Sequence, residues 1–492
     1  MKKIVQIIVL LFCLVSAVSL QANPSALLEN IKEITLDNGM KFLLLRREGA
    51  PVFSAYLRVK VGGIDEPEGK TGIAHMLEHM AFKGTSSLGT HNAEAEKQIL
   101  NQIEKVYAQL LAAPEAKKSA LALQMKKLIA QADRYVKKEE FTQIYSRNGA
   151  SNLNATTSQD LTSYFVNLPN TKLRLWAYLE SQRLKDPVFR EFYTERDVVK
   201  EERRMRSEDS PTGKLYESLM DIAFEKSPYR RPTIGYPEDL SKLSATELHE
   251  FYQKYYRANN ITVALVGNLD RAETEKVIRE YFSDFPKTTQ LPPLQVDEPK
   301  PQEAKKVVIE REASPALMAA YLKPNMPHRD DYVFDVLEQI LCEGPSSRLY
   351  KRLVEKERLA QTVDCSASTP GSRLENIFLV YLSLAKDSSS DVALKVLEDE
   401  FSKIAKGGVN ADELKRAKKN LNADWYYDLQ SNEEMAELLS YFEAIAGSWR
   451  YILEHQKQIE SVSSKDIARV VKTYLKPERL RLGILERVKK KS

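Results

Sequence analysis

Cysteine is scarce. The chain has three in 492 residues, and Cys13 falls in an apolar N-terminal stretch. That excludes a disulfide-built scaffold and a cysteine-built metal site. Cys342 and Cys365 remain. They can pair in an oxidising compartment or stay as two buried thiols. A one-sided charge is also missing: 73 basic residues face 69 acidic ones, a net charge of +4. Lys2 and Lys3 belong to the same N-terminal stretch, so the rest is nearly neutral. Nothing in that balance points to nucleic acid or to a membrane surface. Beyond that stretch no apolar run is long enough to span a bilayer. Histidine is rare too, six in all. What is present, 43% hydrophobic and 29% charged residues, reads as globular protein with room for two to four domains.

Residues 1–22 read as a secretory signal. Lys2 and Lys3 form the charged start, and Ile4 to Val18 is apolar except for Gln6 and Ser16. Cleavage is expected after Ala22 or Ala17. A retained membrane anchor is the alternative, for which the core is short. The two-lysine start fits a bacterial export signal, so the expected location is the periplasm.

Two of the six histidines stand four apart, in His75-Met76-Leu77-Glu78-His79. On a helix this spacing puts both imidazoles on one face, one turn apart. Two imidazoles so placed can hold one Zn²⁺. Glu78 points to the same side, where a carboxylate can take a proton from a zinc-bound water. H-x-x-E-H is the reverse of the H-E-x-x-H order and marks a group of zinc peptidases. An amphipathic helix with two incidental histidines is the plain alternative.

The rest of the chain falls into two similar halves. Residues 33–63 carry strand signals around an Asp37-Asn38-Gly39 turn. Residues 93–146 are rich in Ala, Lys, Gln and Leu, with helical apolar spacing broken at Ala113-Pro114. They read as a helical hairpin inserted after the H-x-x-E-H helix, with a packing role favoured. Residues 149–168 read as strand, turn, strand, and helices follow over Leu173 to Leu184, Glu195 to Ser207 and 246–257. The strand 261–267 closes a domain spanning 23–283, and the Pro- and Lys-rich stretch 284–303 is a linker. Residues 304–492 repeat the pattern: strands over 307–322, a helix from Asp331 to Cys342 continuing through residues 343–356, and two strands between Thr362 and Leu384. Residues 76–84, MLEHMAFKG, match 336–344, VLEQILCEG, with Asp335 for His75 and Gln339 for His79. Residues 255–265, YYRANNITVAL, match 474–484, YLKPERLRLGI. A unit this long indicates a duplicated domain whose second copy has lost its metal ligands.

With these features the mature chain resembles the pitrilysin/insulinase family of zinc peptidases, which includes the mitochondrial processing peptidase. The resemblance implies an α+β fold of two homologous domains. Each is a mostly antiparallel sheet with helices on one face, and the two face each other across a chamber. It also implies a third zinc ligand in the run Glu195-Arg196-Asp197-Val198-Val199-Lys200-Glu201-Glu202. Glu202 is the matching position and Glu201 the rival, with Glu195 a supporting acid. Asn154 and Ala155 fall where the family makes backbone contacts to its substrate. From His75 to Glu202 is 202 − 75 = 127 positions, longer than usual by about the length of the inserted hairpin.

One departure bears on function. Active single-chain members carry an Arg and, seven residues on, a Tyr in their C-terminal half, which hold the substrate carbonyl. Here those positions are Val354 and Gln361. The expected function is zinc-dependent endopeptidase activity on short or unfolded peptides, with one Zn²⁺ per chain and Glu78 as general base. A non-catalytic or structural subunit of a peptidase complex is the alternative. The missing pair leads us to expect a heterodimer with a related subunit that supplies Arg and Tyr. A homodimer or monomer using Arg352 or Arg358 is the other possibility.

Overall fold

The computed structural model describes residues 28–289, 291 and 294–488; the expected signal segment, 1–22, lies outside them. The N-terminal half is built on strands β1 (Lys32–Thr35), β2 (Lys41–Arg46), β3 (Val52–Val59), β4 (Ser151–Thr157), β5 (Thr162–Pro169) and β6 (Ile261–Gly267). Their order in the sheet is β1-β2-β6-β3-β5-β4, antiparallel except for β2 beside β6. The C-terminal half uses β7 (Lys305–Arg311), β8 (Ala316–Lys323), β9 (Ala360–Thr369), β10 (Asn376–Leu384) and β11 (Arg481–Arg487). Their order is β7-β11-β8-β10-β9, again with one parallel pair, β7 with β11. The second sheet thus repeats the first from β2 onward, strand for strand and direction for direction. The duplication read from two short matches extends to the whole topology.

Helix α1 (Ile73–Met80) follows β3. The inserted hairpin is α2 (Ala93–Ala112) and α3 (Glu115–Ala132), broken at Ala113-Pro114, and α4 (Glu140–Arg147) leads into β4. Glu96 on α2 forms a buried ion pair with Arg190 at 2.9 Å. The Arg190 guanidinium also reaches the carbonyls of Lys83, Thr85 and Leu88, just after α1. The insertion is therefore latched to the segment that follows α1.

Then come α5 (Leu173–Lys185), α6 (Phe192–Arg203), α7 (Pro211–Ala223), α8 (Ala245–Tyr255) and α9 (Arg271–Phe282). The helix expected to reach Ser207 is α6 plus a π-helical turn, Arg204–Glu208. The stretch 284–303 has no helix or strand among its described residues. Glu298 pins it by accepting from the backbone N–H groups of Lys226 and Ser227 at 3.0 and 2.7 Å. In the second half, α10 (Arg329–Leu341) ends earlier than expected: Gly344 at φ +71° and Pro345 interrupt it before a π-helical stretch, Tyr350–Lys356. The chain closes with α11 (Ser390–Gly407), α12 (Ala411–Asp428), α13 (Asn432–Ala446), α14 (Tyr451–Ser461) and α15 (Ser464–Tyr474).

Both faces of each sheet are covered. Phe42, Leu44, Phe53, Leu57, Val263 and Leu265 pack beneath the helices of their own half. Leu43, Leu45, Tyr56, Ala264 and Val266 point the other way and pack on Met435, Ala436 and Leu439 of α13, which belongs to the other half. The C-terminal sheet receives the reciprocal cover. Met318, Ala320, Leu322, Ile377 and Leu379 pack on Leu215, Leu219, Met220 and Ala223 of α7. Double cover explains why the central strands read as continuous apolar runs rather than alternating ones. Polar contacts fix the seam. Arg58, 6% exposed, donates to Ser440 Oγ at 2.9 Å. Arg373 bridges to Asp65 at 2.7 and 3.1 Å. Where Asp65 meets Arg373 lies a cavity of about 1430 Å³, lined also by Glu66, Arg231, Tyr255 and described linker residues. Cys342 and Cys365 form a disulfide that ties the end of α10 to β9, with Cα atoms 5.7 Å apart.

Candidate metal centre

Helix α1 begins at Gly72, which sits at φ +86°. A Cβ there would lie 2.6 Å from the Ile234 carbonyl oxygen and close to Gly235. Gly72 has no side chain to cap the helix. The buried Glu66 does so instead, accepting from the N–H groups of Gly72 and Ala74 at 2.9 Å each. The capped turn carries His75 and His79 on one face, with their rings 4.7 Å apart.

Glu202 comes to this face from α6. Its Oε1 lies 3.8 Å from His75 Nε2, and its Oε2 lies 3.4 Å from His79 Nε2. One ligand atom from each of His75, His79 and Glu202 lies within 4.8 Å of the others. Ligands at Zn–N and Zn–O bonds of about 2.0–2.1 Å in a tetrahedron stand roughly 3.3 Å apart. The three donors are of the kind zinc takes and face one another, and closing on the ion would require their ligand atoms to draw together. Glu201 does not share this position: it faces solvent and bonds Arg204 at 2.6 and 3.0 Å.

The surroundings set the protonation of each donor. Burial, helped by the neighbouring His79, pushes His75 down to about 4, so its imidazole is neutral. Burial also works against protonated His79, but hydrogen bonds to Glu195 and Glu202 outweigh it and carry the group up to about 9. Glu195 Oε1 bonds His79 Nδ1 at 2.9 Å, which holds the proton on Nδ1 and leaves Nε2 toward Glu202. Lys83 pairs with Glu195 Oε2 at 2.6 Å. Burial of Glu195 is outweighed by its bonds to His79 and Lys83, which pull it down to about 2. Glu202 is lowered, first by its bond to His79, and it also pairs with the exposed Arg206 at 2.8 Å.

Glu78 stands beside the donor set. Its Oε2 accepts from Thr157 Oγ1 at 2.7 Å, and burial raises its pKa above the ordinary carboxylate value. Thr157 ends β4, whose outer side is the free edge of the sheet. Asn154 and Ala155 lie in the same strand, opposite Phe165 and Tyr164 of β5. The Ala155 N–H donates to the Asn154 side-chain oxygen at 2.9 Å. In the other half, Val354 packs partly buried against the C-terminal core and Gln361 is exposed on β9.

Sequence reasoning missed Glu66, Lys83, Thr157 and Arg206. Glu66 sits in an irregular loop nine positions before His75, where no periodicity marks it. Thr157 carries a weak signal as a polar residue at the end of the strand that holds Asn154.

Patterns from one protein family run through the chain. The one described as Insulinase (Peptidase family M16) matches residues 41–136 and 113–236, and the one described as Peptidase M16 inactive domain matches 242–421. The chain belongs to the pitrilysin/insulinase family. Its curated relatives in this family include the zinc protease PqqE of Helicobacter pylori, 27% identical over 454 residues, covering 90% of each chain. An uncharacterized zinc protease of Streptomyces coelicolor is 24% identical over 457 residues, covering 90% of this chain and 87% of that protein. Among solved structures, a protease from Helicobacter pylori superposes with a TM-score of 0.79 at 26% identity, covering 93% of this chain and 99% of that one. The periplasmic protease PqqL from Escherichia coli gives a TM-score of 0.70 at 17% identity, covering 93% of this chain but 48% of that one. The two-sheet α+β architecture is thus the family's.

Proposed function

We propose that this chain is a zinc-dependent endopeptidase acting on short or unfolded peptides. The observation that carries the reading is the convergence of His75, His79 and Glu202, with Glu78 beside them and Glu195 behind His79. His75, His79 and Glu202 would hold one Zn²⁺. That ion supplies a Lewis acid which acidifies water and polarises a peptide carbonyl. Glu78 accepts the proton from the attacking water and returns it to the leaving amine. Its raised pKa suits both roles, and Thr157 holds the carboxylate in place. The peptide adds as a strand to the free edge of β4, taking the Ala155 N–H from the Asn154 side chain. Backbone pairing makes the recognition loosely selective for sequence.

Val354 and Gln361 offer neither a cation nor a phenol to a bound carbonyl. The active form in this reading is a heterodimer with a related secreted subunit that lacks H-x-x-E-H and supplies an Arg/Tyr pair. Residues 1–22 would deliver the chain to the periplasm. Among the described residues no helix is long and apolar enough to cross a membrane. The test is to isolate the chain from its native host, identify what copurifies, and compare the peptidase activity of the lone chain with that of the pair. Activity that appears or rises steeply with the second subunit is expected. Full activity of the lone chain, unchanged by a related subunit, refutes the heterodimer. A zinc-loaded pair that cuts no unstructured peptide refutes the peptidase.

A further inference from the structure

A second cavity adjoins the metal centre on the side of α7. Arg206 stands on the π-helical turn after α6 and pairs with Glu202 Oε1 at 2.8 Å. The same side chain lines a cavity of about 310 Å³. Ser158, the residue after Thr157, lines it too. Thr157 bonds Glu78 and ends β4, so the strand edge offered to a peptide runs into this cavity. Directly bonded residues thus connect it to a metal donor on one side and to the general base on the other. Its volume suits one side chain of a peptide.

The charge of the lining is one-sided. Arg206, Arg230 and Arg231 line the cavity against one carboxylate, Glu217. Glu217 is already paired, accepting from Arg203 at 2.9 and 3.2 Å. Arg231 donates to the carbonyls of Glu66, Gly63 and Ile64 at 3.0, 3.4 and 3.3 Å, which orient its guanidinium without cancelling the charge. Arg230 pairs with Asp221, an exposed residue. The Arg206 side chain is 67% exposed, and its ion pair is with Glu202, the carboxylate that the proposed zinc ion would share. The cavity therefore holds more positive charge than its own acids neutralise. Tyr216, Met220 and Ile234 add apolar surface beside the guanidinium groups. A carboxylate on a short apolar stem matches both features, and Arg binds carboxylates in a fixed two-point geometry.

We propose that this cavity takes a carboxylate of the peptide substrate, from an Asp or Glu side chain or from the peptide's C-terminus, and so favours acidic peptide beside the scissile bond. The proposal rests on the peptidase reading, and its test avoids turnover. The zinc-loaded Glu78→Gln chain, with any subunit that copurifies, is titrated with labelled unstructured peptides by fluorescence anisotropy. One arm compares an amidated peptide containing Glu with the same peptide carrying Gln at each Glu. The other compares a neutral peptide with a free and with an amidated C-terminus. The acidic member of at least one arm should bind about tenfold more tightly, with the difference shrinking as salt rises. A difference in the first arm assigns the cavity to a side chain, and one in the second assigns it to the chain end. Arg206→Gln and Arg230→Gln should each remove most of the preference while zinc stays bound, and Arg206→Lys should keep part of it. Arg204→Gln removes an exposed cation of the same turn that does not line the cavity, and should leave the preference intact. Equal affinities in both arms, a preference untouched by Arg206→Gln and Arg230→Gln, or one lost equally in Arg204→Gln, overturns the proposal. Cleavage of the neutral peptide by the unmodified protein would then leave the peptidase reading standing.

Discussion

In the proposed reading one carboxylate, Glu78, serves turnover and another, Glu202, holds the metal. Glu78 is held by Thr157 next to, not within, the donor set. Glu78→Gln should therefore keep zinc and fold while losing about 10²–10⁴-fold in activity, as loss of a general base does. Metal analysis and peptide assays on the same preparation check this, and near-normal turnover would rule Glu78 out as the base. Glu202 and Glu201 adjoin in sequence but part company in space, one toward the histidines and one toward Arg204. Glu202→Gln should lose stoichiometric zinc and Glu201→Gln should retain it. The reverse pattern would move the ligand by one residue. Sequence named His75, His79 and Glu202 through helical spacing and family resemblance. It did not reach Lys83 or Thr157, because their roles arise from elements that meet only on folding.

The α1 helix depends on its cap. Glu66 is buried, and burial drives its carboxyl up to about 8 against the two N–H groups it accepts from. The unfolded chain releases that proton near the ordinary value of 4.5, while the folded chain holds it to about 8. Between those values the unfolded state binds fewer protons, so this group makes stability fall as pH rises, with its contribution lost above about 8. Thermal unfolding across that range should show a shallower decline in Glu66→Gln than in the unmodified chain. The variant should also be less stable, since an amide cannot accept from both N–H groups. Identical pH slopes would mean that Glu66 is ionised throughout.

At the scale of the whole molecule, α7 and α13 are exchanged covers. Each leaves its own half and buries the outer face of the other's sheet. Residues 23–283 expressed alone would expose Leu43, Leu45, Tyr56, Ala264 and Val266, which α13 otherwise buries. We expect that fragment to aggregate or stay unfolded. The full chain should unfold in one cooperative transition. Leu439→Ala should cost about 2–5 kcal/mol as a buried large-to-small change, and should lower that single transition rather than split it. A stable, monomeric 23–283 fragment would contradict the exchange.

Local signals in the sequence determined much of this protein. The Asp37-Asn38-Gly39 turn set the β1–β2 hairpin, Ala113-Pro114 set the break between α2 and α3, and four-residue spacing put two histidines on one helical face. These need only neighbouring residues to take effect. The two short matches between halves were enough to reveal the duplication, because each repeats a helix end or a helix face with its own periodicity. Tertiary structure decided the rest. Alternation was hidden in strands buried on both faces, so the exchange of α7 and α13 left no pattern to read. The joining of Cys342 to Cys365 depends on α10 ending beside β9, a contact between segments 23 positions apart. The Glu66 cap and the Thr157 hold on Glu78 are likewise products of packing. Their residues carry no shared spacing, and only the folded chain brings them together.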